Sequence, residues 1–416
     1  MDKIIIEGSQ KLSGNVKISG AKNAVLPIMA ASILGNGNSV ITRVPDLRDT
    51  RTMIRLLEII GAKCTFSNGK LIINGSNVDN PEAPYELVKT MRASFYVMGP
   101  LLAKFGEVRV SLPGGCAWGP RPVDFHLKGF EKLGAEIILE SGYIIAKAKR
   151  LKGSEISFDF PSVGATGNIL MAAVLAEGKT IIRNAAKEPE IVQLCEFLNL
   201  MGANIIGVGS SNIVVEGVET LSSADIDIIP DRIEAGTFLI AGALLGEITL
   251  DGINSNHLLS VILKLRDAGC ELINQNDSIT IKPAKSINPV DISTAVFPGF
   301  PTDLQAQWVG LMTLAKGSSI ITDNVYKDRF SHIPELNRLG AKIKVDQNSA
   351  WVKGVNILKG AQVMSTDIRA SAALIIGGLV AHGITEVQRV YHIDRGYERI
   401  EEKFSLLGAK INRVSA

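Results

Sequence analysis

A single cysteine lies in a loop whose composition could support chemistry. Residues 111–126 read SLPGGCAWGPRPVDFH, in which Cys116 follows two glycines and precedes Arg121 by five residues. The glycines and prolines keep this stretch out of a helix or a central strand. A thiol in such a loop, near an arginine, can serve as an acid or as a nucleophile. The alternative is a surface cysteine with no role.

The remaining cysteines indicate packing rather than chemistry. Cys64 begins a hairpin strand, Cys195 lies in the apolar helix IVQLCEFL, and Cys270 replaces an alanine of a repeated Gly–Ala pair. None of the four cysteines shows paired spacing, so the sequence predicts neither a disulfide framework nor a zinc site. The five histidines are scattered too. We therefore expect no metal.

Polar residues also recur at the starts of apolar helices. Six such positions follow one another at intervals of 66 to 71 residues: Lys22, Arg92, Ser162, Arg232, Asp303 and Arg369. A helix start carries partial positive charge and free N–H groups, so a cation there is unfavourable unless an anion binds. The register predicts an anion-binding site. The alternative is a set of solvated capping residues at the rim of a domain.

A second set of arginines lies in polar loops after short strands: Arg48, Arg121, Arg329 and Arg395. The guanidinium group binds carboxylate and phosphate through two parallel hydrogen bonds. The two sets together predict a doubly anionic small molecule held between two domains.

The elements that position these residues form an internal repeat. A glycine that ends an amphipathic segment recurs every 67 to 73 residues, at 61, 134, 202, 269, 340 and 408. Each unit has an apolar helix, a short strand, a charged helix and a hairpin, which predicts the order β-α-β-α-β-β. A helix that is apolar all round is a buried helix.

The sixth unit lacks its last hairpin strand, and the segment DKIIIEG at the amino terminus resembles the missing one. We therefore predict that the amino terminus completes the last unit. With three units per domain, residues 22–229 form an inserted domain, and residues 1–21 and 230–416 form a discontinuous one. A single closed ring of six units is the alternative. The irregular stretch GVETLSSADIDIIPD between units three and four disfavours it.

Composition narrows the function classes. The net charge of +2 gives no electrostatic footprint for nucleic acid or an anionic membrane. The amino terminus has an apolar run of only three residues, unlike a signal peptide. The apolar stretch 370–381 is shorter than the roughly 20 residues of a membrane helix. We expect a cytoplasmic globular protein and make no prediction of its oligomeric state.

Eight motifs carry a family resemblance, and they occur in this order: SGAKNA, PGGCAWGPRPVD, VGATGN, NAAKEPEIV, FPTDLQAQ, DRFSHIPEL, TDIRASAAL and HIDRGYERIEEK. Together they resemble the UDP-N-acetylglucosamine enolpyruvyl transferases, from residue 3 to about residue 412. The resemblance implies an α/β fold of two inverse, barrel-like α/β domains, each with three repeat units. It also implies transfer of the enolpyruvyl group of phosphoenolpyruvate to the 3-hydroxyl of UDP-N-acetylglucosamine, with release of phosphate. That reaction is the first committed step of peptidoglycan synthesis.

The resemblance also implies residue roles. The catalytic positions are Cys116, Asp303, Lys22 and Arg395. The positions for phosphoenolpyruvate are Lys22, Asn23, Arg121, Arg369 and Arg395. The positions for the UDP-sugar are Arg92, Arg121, Pro122, Val123, Asp124, Phe125, Ser162, Val163, Gly164, Asp303, Val325 and Arg329.

In the implied mechanism Cys116 protonates the substrate methylene, Asp303 is the base for the sugar hydroxyl, and no cofactor takes part. Whether Cys116 donates a proton or adds covalently stays open. Cys116 also matches the cysteine that fosfomycin alkylates in the family. Two alternatives are a shikimate 3-phosphate enolpyruvyl transferase, which shares the repeat, and a catalytically silent nucleotide-sugar sensor.

Overall fold

The structure is a computed structural model and describes residues 2–89, 91–112 and 123–415. Cys116, Arg121 and Pro122 lie outside the described residues. Their predicted roles stay predictions.

The α-helices of the described chain are α1 (Lys22–Ala31), α2 (Arg48–Ile59), α3 (Tyr85–Val88), α4 (Met98–Phe105), α5 (Asp124–Lys132), α6 (Val163–Ala173), α7 (Pro189–Leu200), α8 (Arg232–Leu245), α9 (Leu259–Asp267), α10 (Gln305–Met312), α11 (Ile333–Arg338), α12 (Ile368–Val380) and α13 (Ile400–Leu406). Short 3₁₀ segments occur at Ser32–Leu34, Arg92–Val97, Ser255–Leu258, Thr302–Leu304 and Val390–Arg395.

The strands are β1 (Lys3–Glu7), β2 (Gly14–Lys17), β3 (Gly35–Asn36), β4 (Asn38–Thr42), β5 (Lys63–Ser67), β6 (Lys70–Asn74), β7 (Glu82–Ala83), β8 (Glu107–Ser111), β9 (Glu136–Glu140), β10 (Tyr143–Lys147), β11 (Glu155–Ser157), β12 (Lys179–Arg183), β13 (Asn204–Ile206), β14 (Asn212–Glu216), β15 (Leu221–Ser222), β16 (Ile226–Asp227), β17 (Ile248–Asp251), β18 (Glu271–Gln275), β19 (Ser278–Lys282), β20 (Ile292–Ser293), β21 (Ser318–Thr322), β22 (Lys342–Asp346), β23 (Ser349–Lys353), β24 (Gln362–Met364), β25 (Ile384–Gln388) and β26 (Lys410–Val414).

Each repeat unit builds one four-stranded sheet of the same topology. In the second unit the order is β7-β8-β10-β9, with β7 parallel to β8 and β10 antiparallel to both of its neighbours. The other four-stranded sheets are β16-β4-β6-β5, β11-β12-β14-β13, β2-β17-β19-β18, β20-β21-β23-β22 and β24-β25-β1-β26, and β15 pairs with β3 in a two-stranded sheet. The predicted β-α-β-α-β-β unit is confirmed. Among the described residues none of these sheets closes into a barrel.

The amino-terminal strand completes the sixth unit, as the sequence predicts. Strand β1 lies between β25 and β26, antiparallel to both, with Ile4 opposite Val387 and Arg413. Two further strands come from distant parts of the chain. Strand β2 pairs in parallel with β17 of the fourth unit, and β16 pairs in parallel with β4 of the first. The sequence did not predict the pairing of β2 with β17 or of β16 with β4.

Two compact units share the chain, one of Met1–Ser19 with Pro230–Ala416 and one of Gly20–Ile229. Each has its own apolar core. In the discontinuous unit α8, α10 and α12 pack against one another, and in the other unit α1 and α4 pack against α6. These are the helices that the sequence predicts to be buried. In α8, for example, every residue from 233 to 243 is buried. None of the described helices is both long and apolar enough to span a bilayer.

Close packing of two buried helices depends on Gly99 of α4. A Cβ built at Gly99 would lie 2.3 Å from the carbonyl oxygen of Asn168 in α6, whereas the nearest described atom outside its own helix to one at Gly310 of α10 is the carbonyl oxygen of Ala373, at 3.8 Å. We expect Gly99→Ala to lower the free energy of unfolding by about 2 kcal/mol, because backbone must move. The control Gly310→Ala should raise it by roughly 0.5 kcal/mol. Urea titrations monitored by circular dichroism measure both, and equal effects of the two substitutions would contradict the packing argument.

Candidate active site

In the discontinuous unit the carboxylate of Asp303 lies between two buried guanidinium groups. Asp303 lies in the 3₁₀ turn that precedes α10. Its Oδ1 is 2.7 Å from Nη1 of Arg329, and its Oδ2 is 2.8 Å from Nη2 of Arg369. The two arginine side chains are 7% and 8% exposed, and the aspartate side chain is 23% exposed. The structure thus brings together three residues that the sequence predicts to be functional.

The arginines keep this carboxyl group ionised. Burial opposes the charged form of Asp303, but the charges and hydrogen bonds of Arg369 and Arg329 outweigh it and hold the pKa of Asp303 well below its usual value. Burial likewise opposes the charged form of Arg369, and the Asp303 carboxylate more than offsets this and raises the pKa of Arg369. Asp303 is therefore an anion throughout the physiological pH range.

Asp367, which was not predicted to be functional from the sequence, fixes the backbone of Arg369 at the start of α12. Asp367 caps this helix: its Oδ1 accepts hydrogen bonds from the backbone N–H groups of Arg369, at 2.8 Å, and Ala370, at 3.1 Å. The hydroxyl of Ser331 donates to Asp367 Oδ2 at 3.2 Å. An aspartate just before an apolar helix is the usual N-cap pattern, so a signal was present.

A second missed residue, Asp323, organises the chain beside Asp303. Its fully buried carboxylate accepts hydrogen bonds from the hydroxyl of Thr302 at 2.7 Å and from the backbone N–H of Val325 at 3.0 Å. The same Thr302 hydroxyl accepts from Nη1 of Arg329 at 3.0 Å. Asp323 therefore connects the segment of Val325 to the turn of Asp303.

Arg395 ends the 3₁₀ segment of the sixth unit and is partly buried.

In the unit Gly20–Ile229, Lys22 is the first residue of α1 and its Nζ is 3.0 Å from Oδ2 of Asp49. The Asp49 side chain is only 4% exposed. Asn23 follows in the same helical turn and is partly buried. Arg92 begins the 3₁₀ segment that leads into α4.

Six of the positions matched to the UDP-sugar lie at two neighbouring helix starts. Ser162 caps α6 by accepting from the backbone N–H of Ala165 at 3.3 Å, and Val163 and Gly164 are the first residues of that helix. Val123, Asp124 and Phe125 lie at the start of α5. A Cβ built at Gly164 would lie 3.1 Å from Nε2 of His126 in α5, so the two starts are in contact.

A cavity of about 440 Å³ lies along α5, lined by Phe125 and Lys128 of this helix and by Ile156 and Phe158 among others. The rings of Phe125 and Phe158 meet edge to face, with centroids 6.0 Å apart. The cavity therefore has an aromatic wall that includes Phe125, one of the positions matched to the UDP-sugar.

The six residues of the register do lie at or next to helix starts. The electrostatic argument drawn from their charges needs correction. The register predicts that a bound anion compensates the cations at the helix starts. In the structure the protein supplies a carboxylate at two of these starts: Asp49 pairs with Lys22, and Asp231 caps the helix that Arg232 begins. Asp303 itself is not a cap, because α10 begins without a side-chain capping bond and the carboxylate binds arginine instead.

The ion pairs of Asp303 should make stability depend on pH. A carboxyl group with a lowered pKa contributes stability that is complete above its unfolded pKa, about 3.9, and is lost as the pH falls through its folded pKa. We expect Asp303→Asn to cost about 3 kcal/mol at pH 7, because it leaves buried guanidinium charge uncompensated. The deficit should shrink below pH ~4.

Urea titrations at pH 7 and pH 3 measure this difference. Asp328→Asn, at an exposed aspartate in the loop of Arg329, is the matched control. A deficit for Asp303→Asn that is the same at both pH values would contradict the ionised pairing.

Comparisons with known proteins fit this geometry. Residues 6–404 match the family model described as EPSP synthase (3-phosphoshikimate 1-carboxyvinyltransferase). The chain is 54% identical over 418 residues to UDP-N-acetylglucosamine 1-carboxyvinyltransferase 2 of Carboxydothermus hydrogenoformans, covering 100% of both chains. It is 55% identical over 417 residues to UDP-N-acetylglucosamine 1-carboxyvinyltransferase of Chlorobium limicola, covering 99% of this chain and 98% of the relative.

Solved structures show the same fold. The enolpyruvyl transferase NikO from Streptomyces tendae superposes with a TM-score of 0.90 at 25% identity, covering 100% of this chain and 99% of NikO. An EPSP synthase from Acinetobacter baumannii superposes with a TM-score of 0.78 at 18% identity over the full length of both chains, which supports the fold alone. The chain therefore belongs to the enolpyruvyl transferase family, within the group of the UDP-N-acetylglucosamine 1-carboxyvinyltransferases.

Proposed function

We propose that this enzyme transfers the enolpyruvyl group of phosphoenolpyruvate to the 3-hydroxyl of UDP-N-acetylglucosamine and releases phosphate, the first committed step of peptidoglycan synthesis. Full-length relatives at 54% and 55% identity carry the name of this activity. The observation that carries the proposal is the carboxylate of Asp303, kept ionised between Arg329 and Arg369.

The chemistry needs an acid, a base and cations. The double bond of phosphoenolpyruvate becomes electrophilic only when its methylene carbon takes a proton, which leaves an oxocarbenium-like centre. The sugar hydroxyl attacks that centre and gives up its proton. Loss of phosphate and of a methyl proton then restores the double bond. We assign the first protonation to Cys116, which lies outside the described residues.

Asp303 is suited to take the proton of the sugar hydroxyl. Its low pKa makes it a weak base in isolation. The hydroxyl becomes strongly acidic only as it bonds to the cationic centre, so a weak base in the right place suffices. The paired arginines also leave the carboxylate no freedom to turn away, because each oxygen has its own guanidinium partner.

The remaining predicted residues would bind the two substrates. Lys22, Asn23, Arg121, Arg369 and Arg395 are assigned to phosphoenolpyruvate. Asp49, at 3.0 Å, would orient the Lys22 ammonium group towards it. The UDP-sugar is assigned to Arg92, Arg121, Pro122, Val123, Asp124, Phe125, Ser162, Val163, Gly164, Asp303, Val325 and Arg329. Backbone N–H groups at the starts of α5 and α6 are suited to its anionic and carbonyl groups.

The choice of acceptor tests the proposal against its alternatives. We expect phosphate release from phosphoenolpyruvate to require UDP-N-acetylglucosamine and to be absent with shikimate 3-phosphate. Release with shikimate 3-phosphate alone would favour the EPSP synthase activity named for the family model. Binding of UDP-N-acetylglucosamine without any release of phosphate would favour a silent sensor.

We also propose a cytoplasmic location, supported by the free thiols of Cys64, Cys195 and Cys270, which are typical of a reducing compartment.

A further inference from the structure

A fully buried glutamine links both members of the central ion pair. Gln307 lies on α10, and its amide nitrogen is 3.1 Å from the backbone oxygen of Asp303. The same nitrogen is 3.1 Å from the hydroxyl of Tyr397, and that hydroxyl accepts from Nη1 of Arg369 at 3.4 Å. One side chain is thus bonded directly to the aspartate and, through a tyrosine, to its arginine.

The donors and acceptors of this network fix its direction. The hydroxyl of Thr237 donates to the backbone oxygen of Ile233 at 2.8 Å, so it accepts from Tyr397 at 2.8 Å and from Gln307 at 3.1 Å. The Tyr397 hydroxyl donates its proton to Thr237 and is left to accept from Gln307 and Arg369. The network therefore ties α8, α10 and the segment of Tyr397 to the guanidinium group of Arg369.

The side chains of Thr237, Gln307 and Tyr397 are each exposed to solvent by no more than 2%. A buried polar group costs free energy unless it is bonded. The two hydrogens of Gln307 Nε2 are shared among three acceptors at 3.1 Å, whereas its Oε1 has no hydrogen-bond partner among the described residues, so all of the bonding of this side chain goes through the nitrogen. Catalytic groups need such support, because a displacement of about 1 Å can cost roughly 100-fold in rate.

We propose that Gln307 is a positioning residue, which acts through Tyr397 and the Asp303 backbone to hold the Asp303 carboxylate against Arg369. The inference rests on the proposed function only where it concerns turnover. The ion pair itself can be followed without any substrate. Gln307 does not contact the reacting atoms in this role.

The chain offers a matched control two residues away. Gln305 lies on the same helix and is equally buried, but neither of its amide atoms has a hydrogen-bond partner among the described residues. Gln305→Met and Gln307→Met exchange the same groups at the same depth. Tyr397→Phe keeps the ring and removes only the hydroxyl, so it tests the network even if Gln307→Met does not fold.

The substrate-free measurement is a pH titration of the Asp303 carboxyl carbon in protein labelled with ¹³C-aspartate, with the signal assigned by its absence in Asp303→Asn. We expect the titration of Asp303 to move to higher pH in Gln307→Met and in Tyr397→Phe, and to stay at the wild-type position in Gln305→Met. In the enzyme assay, kcat of Gln307→Met should fall roughly 10- to 100-fold with little change in the KM for UDP-N-acetylglucosamine.

Wild-type titration and wild-type kcat in both Gln307→Met and Tyr397→Phe would overturn the proposal. Equal losses in Gln305→Met and Gln307→Met would also overturn it, because they would indicate a packing effect of α10. A wild-type enzyme without acceptor-dependent phosphate release would refute the proposed function instead. The titration would still decide whether Gln307 holds the ion pair.

Discussion

Asp303→Asn is expected to lower kcat by roughly 100-fold or more, with the KM for UDP-N-acetylglucosamine largely kept. Asparagine preserves the shape of the side chain and one oxygen for an arginine, but it cannot take a proton. Steady-state phosphate release measures the effect, at a temperature where circular dichroism shows the variant to be folded. Asp328→Asn, at an exposed position of the neighbouring loop, should keep wild-type turnover.

Near-normal turnover in Asp303→Asn would remove Asp303 from the chemistry. Its two ion pairs would then serve only the stability of the discontinuous unit. A capping role is already excluded as the explanation of its position, because α10 starts without a side-chain capping bond.

Fosfomycin is expected to modify Cys116 and no other cysteine. Burial raises the pKa of the thiols of Cys64 and Cys195 to about 12 and also raises that of Cys270. Because the thiolate is the nucleophile, these three thiols should be inert. In the sequence Cys116 stands five residues before Arg121 in a glycine- and proline-rich segment, and a guanidinium group there would attract a phosphonate.

Mass spectrometry of peptides from the treated enzyme measures the sites of modification. We expect one adduct, on Cys116, and complete loss of activity. Cys116→Asp should form no adduct and retain turnover, because a carboxylic acid can also donate a proton. An adduct on Cys64, Cys195 or Cys270 with Cys116 intact would contradict the assignment.

The features that could be predicted from sequence are those with a local signature. The buried helices are mostly apolar, each hairpin has its own turn, and the segment of β1 repeats the pattern of other hairpin strands. The unit order and the placement of β1 therefore followed from the repeat. Strands β2 and β16 are short and pair with segments more than 180 residues away, so no local pattern identified their partners.

The candidate site shows the same division. The positions of Asp303 and Arg369 at helix starts were predicted from the register, but their 2.8 Å contact was not, because spacing along the chain says nothing about which starts converge. The roles of Asp323 and Gln307 depend on hydrogen bonds between separate elements. Both side chains are polar and fully buried, and a polar residue type does not indicate burial in the sequence.

The most direct test of the proposed reaction is the fate of the enolpyruvyl carbons. Phosphoenolpyruvate labelled with ¹³C at its methylene carbon is incubated with UDP-N-acetylglucosamine and the enzyme, and the products are followed by ¹³C and ³¹P NMR. We expect the label in a vinyl ether on the 3-oxygen of the sugar, with one inorganic phosphate for each vinyl ether formed. Label that stays in phosphoenolpyruvate or appears in pyruvate, with the UDP-sugar unchanged, would contradict the account.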